Sequence, residues 1–467
     1  MKKELNFDQS TPASGISNLA PLKLSQLAML PLREKDGFKI LRSALLNPAS
    51  DTECEYYFDA LIIADTIDGQ TKIVEVGETS LIAQQRDWKL EEIPKSEGII
   101  LPAFYDIHFH WVQDDVRQKP KISLLEWLEA HTFPEEARFS DKDYCEAKAA
   151  FFWSRIISTG TIGGLCYSSI HSTALDAAMR YAPEGFMIGN VLMDMSCPDY
   201  LRQSSKEAIQ SVHDGANKYE SRYCVTPRFA PTTSPEVMSE GARVAKEKNL
   251  FTQTHLCETT NEIEHTLNLY RDISGFEDIS SYTEIYARCN MLGPKTVMGH
   301  SIHFEQSEWD MISESNTAIA SCPTSNAPIE DLGLGSGLFD YEKAEDQGIR
   351  WALASDIGGG PFLCMFDVID SFERQNRYAG KSSDHHIKAL YRSTQAGADI
   401  LGLGDSRGNL SKGKRLDCIQ CIATRGIEPD ATAASVLKAI ISQAPERGQF
   451  EALVSATVVN GEILYEA

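Results

Sequence analysis

Gly98-Ile99-Ile100-Leu101-Pro102-Ala103-Phe104-Tyr105-Asp106-Ile107-His108-Phe109-His110 decides how the chain is read. The apolar run has the composition of a buried strand, and it ends in two histidines. Alternate side chains of a strand share a face, so His108 and His110 point the same way at its end. Two imidazoles on one face are half of a metal site.

Outward from that run, seven more short apolar segments alternate with longer stretches of helical period. They are 160–167, 186–194, 223–229, 250–255, 296–300, 317–321 and 349–356. Leu124 to Glu129 carries apolar residues at i, i+3 and i+4, and 143–157 is a longer helix. Ser234-Pro235-Glu236 reads as a cap with proline at the first helical position. Eight β-then-α units predict an α/β fold, a (β/α)8 TIM-like barrel. The runs end in polar residues: His108 and His110, Ser168 and Ser169, Asp194, Arg228, His255, His300, Ser321 and Asp356. Active sites of such barrels sit at that face.

The flanks lack this rhythm. Residues 1–97 hold β-like pieces such as Phe38-Lys39-Ile40-Leu41 and Lys72-Ile73-Val74-Glu75-Val76, and 408–467 hold others at 417–423 and 452–463. The expected organisation is a small β-sandwich-type domain built from 1–97 and 408–467, around a hydrolase barrel at 98–407. Leu19 to Leu32 is largely apolar and suggests no function. A chain of 467 residues suits such a division into one large and one small domain.

Bulk composition narrows the partners. The formal charge of −23 argues against nucleic acid and anionic membranes, which need basic patches. The eleven cysteines form no framework. The single C-x-x-C, Cys418 and Cys421, lies in a strand-like run where residues three apart face opposite ways, a poor chelator. Buried reduced thiols imply a reducing compartment. The N-terminus lacks the apolar core of a signal peptide, and no run approaches a membrane span, so the cytoplasm is expected.

His255, His300 and Asp356 add to the histidine pair. Three histidines and one aspartate on separate strands can converge on one divalent ion, and imidazole with carboxylate suits Zn²⁺ or Fe²⁺. Such an ion lowers the pKa of bound water from about 15.7 towards roughly 7. Glu258, three residues past His255, can lean over the site and shuttle a proton between the attacking water and a ring nitrogen. Asp356 can touch both metal and water, and His300 can donate a hydrogen bond to the developing tetrahedral centre. Each also has a plainer reading: His255 and His300 as core histidines, Glu258 as a helix-start carboxylate. Gly358-Gly359-Gly360 lacks the Lys-Ser/Thr of a phosphate loop and reads as close backbone packing. His131, His171, His213, His265, His303, His385 and His386 are read as structural or surface residues.

Together, Asp106-x-His108-x-His110, His255, His300 and Asp356 resemble the amidohydrolase superfamily, and longer stretches resemble its guanine deaminase family. These are His110-Trp111-Val112-Gln113, the segment from Leu124 to Pro134, Val225-Thr226-Pro227-Arg228-Phe229-Ala230-Pro231, Gln253 to Glu258, Ser321 to Asn326, and Ser355 to Gly360. The resemblance spans about residues 98–416, and 408–417 resembles the return to the small domain. It implies hydrolytic deamination of guanine to xanthine and ammonia in a homodimer. It assigns one zinc, with Fe²⁺ as an alternative, to His108, His110, His255 and Asp356. Glu258 becomes the proton shuttle, Asp356 assists the water, and His300 stands beside the metal. Gln113, Arg228 and Phe229 would hold the purine, in a pocket that His110, His255 and Glu258 also line. A guanidinium donates to an exocyclic carbonyl, and a phenyl ring packs on a base face.

The chain departs from that pattern at Ala103, at Trp111-Val112, at 118–122 and at 326–331, the last three expected near the pocket wall. No lysine stands near the fourth strand end, which favours a single metal. Two other readings are carried: a deaminase of another aminated heterocycle such as 8-oxoguanine or a pterin, separable by substrate profiling, and a catalytically silent barrel scaffold. The scaffold would show a lost ligand or a lost Glu258, and here every expected polar group is present.

Overall fold

The opening run forms two strands, not one. In the computed structural model, which describes residues 32–327, 332–381, 384–422, 426–444 and 449–467, Ile99–Pro102 and Phe104–His110 belong to different sheets. Ala103 is the joint, and its N–H is bonded to the carbonyl of Asp417. Both halves are buried on all sides, so apolar composition alone could not mark the change of sheet.

The first sheet gathers the flanks. Its strands are β1 (Arg33–Lys35), β2 (Phe38–Pro48), β3 (Cys54–Ile67), β4 (Gln70–Glu78), β5 (Ile99–Pro102), β14 (Cys418–Cys421), β15 (Val454–Val459) and β16 (Glu462–Glu466). They run in the order β16-β15-β14-β5-β2-β3-β4, with β1 on β2. Three hairpins turn on Asp36-Gly37, Asp68-Gly69 and Asn460-Gly461, each with both residues at positive φ, the signature of the tight primed turn. The sheet curls until its ends meet: Asn460 Oδ1 accepts from Thr71 N at 2.7 Å, and Ile73 N donates to Lys414 O at 2.8 Å. Leu41, Ile62 and Ile73 from one end share a core with Leu416, Cys418 and Val458 from the other. The expected sandwich-type domain is therefore one continuous sheet folded over on itself.

The second sheet is the barrel. Eight parallel strands lie in chain order: β6 (Phe104–His110), β7 (Thr161–Ser168), β8 (Gly185–Leu192), β9 (Cys224–Pro227), β10 (Phe251–Leu256), β11 (Thr296–His300), β12 (Ala318–Ser321) and β13 (Trp351–Leu353). Each coincides with one of the eight expected runs. The seam between the last strand and the first is closed at the top, where Asp356 N donates to His108 O and His110 N to Ile357 O, both at 2.9 Å.

Helices cover the barrel where the caps are written in sequence. Ser234 accepts from Val237 N ahead of Pro235–Lys248, and Asn249 ends that helix in the left-handed conformation. The expected helix at 143–157 is Lys142–Ser158, capped by Asp141. Residues 124–137 form one helical stretch with a π turn over Leu128–Thr132. No helix among the described residues is long and apolar enough to cross a membrane. All eleven cysteines are unpaired thiols. The segment 19–31 and residues 328–331 of the expected insertion lie outside the described residues.

Candidate active site

His108 and His110 leave β6 on the same face, as strand alternation requires. Asp356, beyond β13, places Oδ1 3.4 Å from His108 Nε2 and 3.3 Å from His110 Nε2. His255, on β10, has its Nε2 3.1 Å from that of His110. Its other ring nitrogen, Nδ1, is 2.6 Å from Arg228 O, so a proton there leaves the Nε2 lone pair facing the cluster. His300 ends β11. His108, His255, His300 and Asp356 offer ligand atoms all within 4.8 Å of one another. Five side chains expected at the site thus meet at the top of the barrel, and His110 touches the group through Asp356 and His255.

The backbone is bent to this end. His300 and Asp356 both sit at positive φ, 70° and 49°, an uncommon conformation for residues with side chains. Gly299 leaves room for the ring beside it, since a Cβ there would lie 2.6 Å from His108 Cε1.

The cluster has the character of a cation site. His108 Nδ1 and Nε2, His110 Nδ1 and His300 Nε2 are buried without a hydrogen-bond partner, and buried polar atoms normally have one. Burial holds the imidazoles neutral, lowering His108 and His255 and taking His110 to about 3. Burial opposes ionisation of Asp356 too, but the imidazoles of His108 and His110 beside it outweigh burial and hold the carboxyl well below its ordinary range. Neutral imidazole and ionised carboxylate are the forms that bind a divalent ion. Asp106, at the head of the motif, ties β6 to the turn before Asp356. It accepts from Ser355 N at 3.1 Å, from His108 N at 3.3 Å and from the Ser355 hydroxyl.

Glu258 stands over this floor. Its Oε2 is 3.5 Å from His300 Nε2, and its Oε1 accepts from Asn326 Nδ2 at 3.2 Å. Asn326 Oδ1 is in turn 3.2 Å from His300 Nδ1. Burial, with the charges of Asp356 and Glu262, pushes the Glu258 carboxyl well above its ordinary value.

A pocket opens above. His110, His255, Glu258, His300 and Asp356 form one side; Gln113, Arg228 and Phe229 form another, with Leu124, Trp127 and Leu128. Every expected residue lines it except His108, which lies beneath, fully buried. Phe229 meets the His255 ring edge to face at 6.3 Å.

Sequence reading missed Glu136. It is fully buried, its Oε1 accepts from Gln113 Nε2 at 2.8 Å, and both its oxygens lie 2.8 Å from Arg228 Nη1. Its signal was faint: an acid two residues past Thr132-Phe133-Pro134, exceptional only once Arg228 is known to lie beside it. Two other expectations change. Trp111 and Val112 pack in the apolar layer outside β6 and donate nothing to the pocket; Trp111 Nε1 is bonded to Ser168 Oγ. Asp194 accepts from Ser205 and Ser234 and fastens loops together, so that strand end is structural. Cys418 and Cys421 are both buried in β14, as expected of inert thiols.

The sequence profile of the amidohydrolase family matches residues 99–464. The chain belongs to the amidohydrolase family. Within that amidohydrolase family its relatives are guanine deaminases. The enzyme of Escherichia coli is 34% identical over 73% of this chain and 75% of its own length. That of Homo sapiens is 30% identical over 68% of this chain and 71% of its own. Among solved structures, E. coli guanine deaminase superposes with a TM-score of 0.79 at 28% identity, covering 92% of this chain and 99% of that one. Guanine deaminase from C. acetobutylicum, solved with bound guanine in its active site, gives 0.75 at 25% identity, covering 92% of this chain and 100% of that one. This amidohydrolase is thus a hydrolase of the guanine deaminase group.

Proposed function

We propose that the protein removes the exocyclic amino group of guanine by hydrolysis, giving xanthine and ammonia, with zinc at the barrel top. One observation carries this reading. The imidazole–carboxylate cluster and the Arg228–Glu136–Gln113 group face each other across a single pocket. The sequence likeness to guanine deaminases supports the choice of ring.

The ligands proposed are His108, His110, His255 and Asp356. The orphaned ring nitrogens and the ionised Asp356 support a divalent ion, zinc or iron, which would supply activated water near neutral pH. The rest is done by side chains. Arg228 donates to the carbonyl oxygen of the base, Gln113 hydrogen-bonds its edge, and Phe229 packs on its face. Asp356 takes the proton of the attacking water. Glu258, whose carboxyl favours the protonated form, delivers its proton to a ring nitrogen and recovers one from the new hydroxyl as that carbon becomes a carbonyl, while the proton held by Asp356 passes to the departing amine. His300, whose Nδ1 donates to Asn326 Oδ1, turns its Nε2 lone pair towards Glu258 Oε2 and helps to place the proton that Glu258 carries. A cytoplasmic homodimer goes with this reading, supported by the resemblance and the buried thiols.

Ammonia release from metal-analysed protein is the test, with guanine, 8-oxoguanine, adenine, cytosine and a pterin offered in parallel. Preference for guanine with about one zinc per chain is expected. Turnover confined to another ring would displace guanine as the substrate, and no turnover by metal-loaded protein would overturn the deaminase reading.

A further inference from the structure

Glu136 engages one end of each of two pocket side chains, and this fixes what their other ends offer. A glutamine amide can turn over, exchanging donor and acceptor, at little intrinsic cost. Gln113 is denied that freedom. A carboxylate accepts and cannot donate, so the contact of 2.8 Å with Glu136 Oε1 must come from Nε2. Oε1 is then turned away from Glu136, and among the described residues it accepts no hydrogen bond. Gly358, at φ +122°, keeps its berth open, because a Cβ there would lie 2.1 Å from that oxygen. Arg228 is constrained alike. Both Glu136 oxygens hold Nη1, and Nε and Nη2 make no hydrogen bond among the described residues.

We propose that Glu136 is a positioning residue that sets the hydrogen-bond polarity of the pocket wall, selecting rings with a lactam beside the amine, O=C–N(H)–C–NH2. The proposal rests on the deaminase reading and deepens it. The wall presents donors from Arg228 next to an acceptor from Gln113. Its complement is a carbonyl oxygen next to a ring N–H, the O6 and N1–H edge of guanine, which adjoins the carbon bearing the amine. Adenine presents a donor and a bare nitrogen in the reverse order. 2-Aminopurine keeps the amine but lacks the carbonyl, and its bare N1 would set a lone pair against Gln113 Oε1. 8-Oxoguanine and pterin carry the same lactam edge, so Glu136 selects a class, and contacts with the rest of the ring choose within it.

The experiment compares kcat and KM for guanine and 2-aminopurine in the metal-loaded wild type, Glu136→Gln and Gln113→Leu. Sites built to hydrogen-bond a substrate group reject the analogue lacking it by roughly 10⁴-fold, and the wild type should do the same. Glutamine at 136 can donate as well as accept, so the Gln113 amide is freed to turn. In Glu136→Gln the guanine KM should rise about 10- to 100-fold with a smaller change in kcat, and the preference over 2-aminopurine should shrink at least about tenfold. Gln113→Leu leaves the Glu136–Arg228 pair intact, removes the acceptor, and should shrink the preference too; it decides the matter if Glu136→Gln does not fold. Equal losses on both substrates, with the preference unchanged, would overturn the proposal and leave Glu136 a purely structural charge. Wild-type turnover of guanine without preference over 2-aminopurine would overturn it as well. A wild type inert towards guanine would instead strike at the deaminase reading.

Discussion

His255 and Arg228 are joined at one carbonyl: the His255 ring is hydrogen-bonded to Arg228 O at 2.6 Å, and the His255 backbone N–H donates to the same oxygen at 3.4 Å. The residue that turns a lone pair towards the imidazole–carboxylate cluster is thereby held by the residue proposed to bind the base. Partners of this kind orient ligating histidines. His255→Ala should lose the metal, read by elemental analysis of the purified protein. A full zinc complement in that variant would mean that the ligand set is wrong.

Glu258→Gln separates proton transfer from metal binding. Glu258 reaches Asn326 and lies near His300, and neither contact is needed to hold an ion. Zinc content should stay at the wild-type level while kcat falls by roughly 10²–10⁴. Near-normal turnover would remove Glu258 from the mechanism.

Arg228→Ala should be costly twice over. It removes the donors offered to the base, and it leaves Glu136 charged and buried with no cation beside it. Breaking a buried pair from one side costs about 3–5 kcal/mol, to be seen in urea unfolding alongside loss of guanine turnover. Arg228→Ala combined with Glu136→Gln should recover part of the stability and none of the activity. A single variant as stable as wild type would contradict the burial of that pair.

The buried histidines of the site should lower stability without metal as pH falls, against an opposite trend from Glu258 and Asp106, whose carboxyls burial pushes up. Burial lowers His108, His110 and His255 below the ordinary value of 6.5, His110 to about 3. The unfolded chain therefore binds protons below about pH 6.5 that the folded chain refuses. The contribution of the histidines is whole above that pH and falls as pH drops towards 3. The slope is about 1.4 kcal/mol per pH unit for each histidine that stays neutral. Denaturant melts of chelator-treated wild type and His110→Asn at pH 7.5, 6.5 and 5.5 would show it as a smaller loss on acidification in the variant, and identical profiles in the two would refute it.

Gly299→Ala probes the space beside His108. The added methyl would lie 2.6 Å from the ring, against a fully buried side chain that has nowhere to retreat. Overpacking of this kind costs about 1–3 kcal/mol, and metal affinity should fall with it. Unchanged zinc retention during dialysis would show that the ring can shift freely.

The barrel was legible because its signals are local and repeated. Each strand is a short apolar run, and strand alternation alone put His108 and His110 on one face. The hairpins of the other sheet were equally open to reading at Asp36-Gly37, Asp68-Gly69 and Asn460-Gly461, where both residues take positive φ. The break at Ala103 was not, since a strand buried in one sheet and a strand buried in the next have the same composition. Glu136 stayed hidden for a different reason: a buried acid is marked by its partner, and Arg228 is 92 residues away. Trp111 looked like pocket lining from its place beside His110, yet the residue after a strand's last inward side chain turns out to the helical layer.

Only Ala103 separates the pairing of β5 from that of β6. The strand carrying two of the site's histidines is therefore moored directly to the flanking sheet, with no slack between them. A shortened chain starting at residue 98 would keep every group named in the chemistry and still lose β2, the strand alongside β5. Inheritance of the barrel without its flanks would thus loosen the very histidines it was meant to preserve, and insertions at this joint should be tolerated far less well than their distance from the pocket suggests.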